Sequence, residues 1–96
     1  KKTNNKTMST SKKHRDFVSE PMGNKLVTEL PGVGSALGRN LSNHGYCKAN
    51  QVMGEYLARD GQRSSFVPWM QGTSNANSRQ ANDTYQGLNE WRNNFL

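Results

Sequence analysis

The sequence is short of cysteine, of apolar residues and of any extended apolar run, and each shortage excludes a class of protein. Cys47 is the only cysteine in 96 residues, so no internal disulfide framework exists and a reducing nuclear or cytosolic compartment is expected. No stretch approaches the ~20 apolar residues that cross a bilayer, and no signal-peptide pattern opens the chain. A soluble intracellular protein without membrane insertion is the expectation. Apolar residues make up 31% of the chain and the mean hydropathy is −0.99. That stocks one small core, leaves part of the chain unstructured, and makes oligomerisation a natural way to add buried area. Strand-like alternation is absent, so the expected class is all-α.

Constellations that carry chemistry are missing too. His14, Asp16, His44 and Cys47 are the candidate metal ligands of note. His44-x-x-Cys47 is one pair without a second, so no metal site is predicted. No nucleophile, base and orienting group fall together, so no catalytic residue, no cofactor and no enzyme is predicted. Trp69 and Trp91 fall on helical stripes and are read as core rather than as base-stacking platforms.

Acid is absent from the first 15 residues, which carry Lys1, Lys2, Lys6, Lys12, Lys13 and Arg15. Residues 16 to 96 hold seven basic and seven acidic side chains, so the whole net charge of +6 belongs to the N-terminal stretch. Such an arm suits a polyanion, and Lys12, Lys13 and Arg15 carry that reading better than Lys1, Lys2 and Lys6. Residues 1–9 are read as a flexible basic arm and 10–96 as the helical domain.

What is present centres on Leu30 to Gly38, Leu-Pro-Gly-Val-Gly-Ser-Ala-Leu-Gly. Gly32 and Gly34 separate two apolar-periodic segments, and Leu37 and Leu41 restart a helix at i, i+4. A helix opening from a glycine turn leaves N–H groups aimed outward, which suits a phosphate oxygen. On these nine residues alone, a plain turn between two helices remains equally compatible. A dinucleotide fingerprint is excluded because Leu37 stands where the third glycine belongs, and no Gly-Lys-Ser/Thr follows for a phosphate loop.

Along the rest of the chain, Thr10 or Ser11 caps a first helix that buries Phe17 and Val18 and ends at Glu20-Pro21. Lys25 to Leu30 gives a helical turn. The hairpin helix runs to about Asn43 and stops before Gly45. Ala49 to Leu57 forms the next helix on Val52, Met53, Tyr56 and Leu57. Ser64 or Ser65 is expected to cap another, with Pro68 in its first turn and Trp69 and Met70 inward. Thr73 to Asn77 is a polar joint. Ala81, Tyr85, Leu88, Trp91 and Phe95 mark a long last helix, with Gly87 as an interior flaw. His14 is read as packing or capping at the first helix.

From Met8 to Leu96 the chain resembles the barrier-to-autointegration factor family. The resemblance is carried by Lys13-His14-Arg15-Asp16-Phe17-Val18, Glu20-Pro21-Met22-Gly23, Gly32-Val33-Gly34 with Leu37-Gly38, and Gly45-Tyr46. It continues through Lys48-Ala49, Gly54 with Leu57, Phe66 with Trp69, and Leu88-x-Glu90-Trp91-x-x-x-Phe95-Leu96. Lys1 to Thr7 has no counterpart. The resemblance implies a compact domain of five to six helices with a helix-hairpin-helix, forming a symmetric homodimer with Gly54 at its seam. It implies non-specific binding and bridging of double-stranded DNA, with contacts at Lys12, Lys13, Gly32, Gly34, Ala36, Leu37, Ser78 and Arg79, and a lesser one at Arg39. It also implies phosphorylation of Ser9, Thr10 and Ser11 by vaccinia-related kinases. The implied partners are LEM-domain proteins, lamins and histones. The implied location is the nucleus, at chromatin and the nuclear envelope, and also the cytoplasm.

The chain departs from the family at Ala58-Arg59-Asp60-Gly61-Gln62-Arg63-Ser64-Ser65, where family members carry an apolar and lysine-rich, then acidic, stretch. A groove wall of Ala58 and Ser65 offers less apolar area to a LEM domain, a loss of a few kcal/mol at ~25 cal/mol per Å². Asn40 and Asn82 stand where basic residues are more usual, which predicts lower DNA affinity or more reliance on the arm. A second reading is a diverged paralog that heterodimerises with a family member and alters its LEM-protein or DNA binding. A helix-hairpin-helix glycosylase is a distant third, because the chain is too small for a base-flipping pocket beside the hairpin.

Overall fold

The computed structural model describes residues 11–96. The basic arm of residues 1–9, and with it Ser9, together with Thr10, lies outside the described residues. Within them are five α-helices: α1 (Lys12–Ser19), α2 (Ser35–Asn43), α3 (Ala49–Ala58), α4 (Arg63–Ser74) and α5 (Ser78–Phe95). A 3-10 turn spans Val27–Glu29. The only extended pairing among the described residues is one isolated antiparallel bridge, Leu26 to Lys48. The all-α class is confirmed. No described helix is long and apolar enough to cross a membrane.

Local chemistry sets the helix ends. Ser11 caps α1, its Oγ accepting the His14 N–H at 3.1 Å, and the helix gives way to extended backbone at Glu20, just before Pro21. Asn77 and Gln80 cap α5 reciprocally: Asn77 Oδ1 accepts the Gln80 N–H at 2.8 Å, and Gln80 Oε1 accepts the Asn77 N–H at 2.9 Å. Gln51 Oε1 takes the N–H groups of both Cys47 and Lys48 at 2.8 Å and fixes the entry to α3.

The helix α4 differs from the expectation. It starts at Arg63 from an N-cap at Gln62, not at a serine, and Pro68 lies in its interior. That start gives the N–H of the fully buried Phe66 an acceptor, the Gln62 carbonyl at 2.9 Å. Proline there forfeits one ladder bond to the Ser64 carbonyl, but Ser64 and Pro68 are both on the exposed side, where water can serve. The helix also runs through Ser74, so the polar joint is shorter than expected and turns at Asn75 in the left-handed region (φ 69°). Ser74 is fully buried and donates from Oγ to the Met70 carbonyl at 2.7 Å.

The long helix α5 organises the rest, with α1 against one flank and α4 against another. Ala81, Leu88 and Trp91 are buried as the periodicity predicts, and Trp91 Nε1 donates to the Glu20 carbonyl at 2.9 Å. Phe95 is less inward than expected: it is 40% exposed and stacked on Trp91 at 4.9 Å. Tyr56, Phe66, Trp69 and Tyr85 form the aromatic centre, with Tyr56 and Phe66 6.0 Å apart and Phe66 and Trp69 5.6 Å apart.

Gly87 is a packing requirement rather than a flaw. A Cβ there would stand 2.6 Å from Pro31 Cγ, inside contact distance. The hairpin ring therefore rests directly on the α5 backbone. Gly87→Ala trades a better helix former for an overlap that the rigid proline ring cannot easily relieve. Net destabilisation of about 1–3 kcal/mol is expected despite the propensity gain. Urea unfolding followed by far-ultraviolet circular dichroism measures it, and an unchanged midpoint would contradict the packing assignment.

Candidate nucleic-acid interface

The hairpin is built from the inside out. Leu30 and Val33 are completely buried and anchor both of its sides. Gly32 between them takes φ +83°, and a Cβ on it would overlap the Gln80 carbonyl and stand 3.0 Å from Thr84 Oγ1. Thr84 in turn donates from Oγ1 to the Pro31 carbonyl at 2.6 Å. The turn is thus clamped to the first half of α5. From the other side Lys13 Nζ of α1 donates to the Val33 carbonyl. Burial lowers the Lys13 pKa, against the pull of the Glu29 carboxylate.

Gly34 has a different role. Its backbone is extended (φ −99°, ψ −165°), it forms the N-cap of α2, and its absent Cβ would meet nothing within 4 Å. The α2 ladder begins with the Gly38 N–H bonding the Gly34 carbonyl at 2.9 Å. Ser35, Ala36 and Leu37 therefore have N–H groups without an intrahelical acceptor, and no side chain caps this helix. Ser35 and Ala36 are exposed, while the Leu37 side chain is 8% exposed and belongs to the core. Leu37 can offer a ligand only its N–H. Uncapped N–H groups at a helix start suit an anionic oxygen.

The other predicted contacts gather around this point in two groups. Gly32 and Arg79 share a cleft of about 170 Å³ with Ser11, His14 and Asp83. Arg79 is exposed and makes no ion pair among the described residues. Ser78 is exposed at the first position of α5, but its carbonyl accepts Asn82 Nδ2 at 2.8 Å and the neighbouring capping box takes the Gln80 N–H. The α5 start is thus partly satisfied, and the α2 start is the open one. Lys12 and Lys13 lie together beside the 3-10 turn, lining a second cavity with Thr28 and Glu29. Lys12 is 80% exposed and pairs with Asp16 at 2.7 Å. That hydrogen bond raises the Lys12 pKa and lowers that of Asp16.

Several structural roles were not visible in the sequence. The His14 ring spans 76 residues to bond Glu90 Oε1 from Nε2 at 3.0 Å, joining α1 to α5, while its backbone N–H is the group that Ser11 caps. Asn40 donates from Nδ2 to the Ser74 carbonyl at 2.8 Å, so the residue in place of a cation ties α2 to the end of α4. His44 bonds the Asn40 carbonyl through Nδ1 at 2.9 Å, and Cys47 is exposed. Among the described residues, no three of His, Cys, Asp and Glu stand close enough to hold a metal ion. Gly54 is exposed with nothing within 4 Å of its missing Cβ, and Leu57 beside it is 42% exposed. Nothing inside the protomer demands glycine at that position.

Residues 8–95 match the family described as barrier to autointegration factor. The barrier-to-autointegration factor of Drosophila melanogaster is 48% identical over 87 residues, covering 91% of this chain and 97% of that protein. The Homo sapiens protein of the same name is 44% identical over 89 residues, covering 93% of this chain and all of that protein. The Danio rerio protein is 44% identical over 88 residues, covering 92% and 98%. The match spans every helix and the hairpin, begins after Lys1–Thr7 as expected, and includes both hairpin glycines. The chain belongs to the barrier-to-autointegration factor family.

Proposed function

We propose that this protein is a non-enzymatic, sequence-independent binder of double-stranded DNA that acts as a homodimer and bridges two duplexes. The uncapped start of α2 carries this reading: its first N–H groups have no intrahelical acceptor, Lys13 bonds the adjoining Val33 carbonyl, and Arg79 shares a cleft with Gly32. Each of these groups is a phosphate ligand and none reads a base edge. A two-fold dimer doubles such a site, and the exposed strip at Gly54 and Leu57 supports α3 as its seam. Chromatin and the nuclear envelope are the matching location. LEM-domain proteins, lamins and histones are the matching partners, with the LEM groove weakened by Ala58 and Ser65.

Binding measured on unrelated duplexes is expected to agree within about threefold and to fall steeply with salt, log–log slope near −0.9 for each phosphate neutralised. A flat salt profile, or binding confined to one sequence, would contradict the proposal. The paralog reading keeps the same fold and predicts weak DNA binding alone with stable heterodimers on mixing.

Ser9, Thr10 and Ser11 are the proposed phosphorylation positions, and Ser11 is the one within the described residues. It lines the cleft that holds Gly32 and Arg79. A phosphate there adds about −1.5 to −2 charge where a DNA phosphate would lie. Ser11→Asp keeps the N-cap, because aspartate caps as well as serine. The expected result is unchanged melting with DNA affinity reduced about tenfold, from about 1–1.5 kcal/mol of added repulsion. Fluorescence anisotropy with a labelled duplex measures it, and unchanged affinity would remove Ser11 from the switch.

A further inference from the structure

A second pair of arginines lies away from the hairpin, where the connector between α3 and α4 meets the far half of α5. Arg63 opens α4 and lays its guanidinium over the Tyr85 ring, 5.2 Å from the centroid. The Tyr85 hydroxyl donates to the Gly61 carbonyl at 2.7 Å and holds that ring in place. Gly61 has φ +66°, and a Cβ on it would stand 2.7 Å from Arg92 Nη1 and 2.9 Å from the Tyr56 hydroxyl oxygen. Glycine there leaves the room in which the Arg92 guanidinium lies. Both arginines are exposed, and neither makes an ion pair among the described residues, whereas Arg59 close by is matched with Glu55. Asp60, the one carboxylate of the connector, is exposed and makes no ion pair among the described residues.

A guanidinium seated on an aromatic face keeps its edge N–H groups for a ligand, and its fork geometry matches a carboxylate. We propose that Arg63 and Arg92 form a carboxylate-binding site that receives an acidic peptide segment of a partner protein. A duplex is the poorer occupant. It presents a continuous row of phosphates, and this site offers two cations rather than a basic stripe. Along α5, Arg92 is about 20 Å beyond Arg79 and about 140° around the helix. The site is therefore separate from the hairpin, stands independently of the DNA-binding reading, and can be filled while the hairpin is occupied.

A hexaglutamate peptide titrated into the full chain by calorimetry tests the proposal. The wild-type chain is expected to bind it, and Arg63→Gln with Arg92→Gln to lose at least about tenfold in affinity. Lys25→Gln with Lys48→Gln removes the same charge elsewhere and is expected to change affinity less than about threefold. Arg63→Lys with Arg92→Lys keeps the charge but loses the fork and is expected to weaken binding several-fold, which keeps the test open should the glutamine pair not fold. Absence of wild-type binding, equal losses in the two charge-matched variants, or displacement of the peptide by duplex DNA would each overturn the proposal. Unchanged duplex affinity in the Arg63→Gln, Arg92→Gln chain would support it.

Discussion

Gly34→Asp is expected to raise the melting temperature while lowering DNA affinity about 100-fold or more. The two effects come from the same donors. Gly34 is the N-cap of α2, in extended backbone that aspartate adopts freely, and its Cβ direction is empty. An aspartate there would accept the N–H of Ala36 or Leu37 and place a negative charge at the positive end of the helix. Together these contribute a few tenths to about 1 kcal/mol of stability. Those same N–H groups are the ones proposed to hold a DNA phosphate. Occupying them, and setting a carboxylate in the phosphate's place, removes charge-assisted bonds of about 1.5–3 kcal/mol each and adds repulsion. Thermal melting and anisotropy titration on one preparation check both halves. Retained affinity in a stable variant would remove the α2 start from the binding site.

Gly32→Ala is expected to do the reverse, destabilising the fold by about 3–5 kcal/mol and lowering the melting temperature by about 15 °C or more. Two independent costs add. The left-handed backbone at φ +83° is strained for any residue with a Cβ, by about 1–2 kcal/mol. The new methyl would also overlap the Gln80 carbonyl, a backbone atom of α5 that cannot swing aside as a side chain could. Much of the stability of a domain this size would be lost. Differential scanning calorimetry measures it, and a shift below about 5 °C would contradict the clamp. The two glycines of one hairpin thus serve different ends: Gly32 lets the turn lie on α5, and Gly34 leaves room for the ligand.

That division was not legible in the sequence, where both glycines read alike as turn residues. Helix periodicity was legible wherever one face is buried, as in Ala81, Leu88 and Trp91. It misled at Leu57 and Phe95, which continue the pattern but lie at the surface. Caps were readable where a short polar side chain sits at the boundary, as at Ser11. They failed at α4, which starts from Gln62, whose carbonyl takes the N–H of the buried Phe66, and which carries Pro68 in its interior. Tertiary partners were the hidden part. Nothing local marks Gly87 as the seat of Pro31, His14 as the partner of Glu90, or Lys13 as a donor to the hairpin carbonyl. Lys13 and Arg79 were found through their resemblance to family positions, and the structure places both beside the hairpin. The placement of Arg63 over Tyr85 and of Arg92 beside Gly61 escaped because both contacts are tertiary.

The proposed DNA contacts lie at the hairpin end of α5, and the proposed carboxylate site lies toward its other end. The proposed bridging requires two hairpins, because a single protomer offers one.

Light scattering with a short duplex of arbitrary sequence is therefore the most direct measurement. The protein alone is predicted to show the mass of two protomers, and with excess duplex the mass of two protomers carrying two duplexes, while long DNA aggregates at low salt. A monomer carrying one duplex, or a dimer that takes up only one, would contradict it.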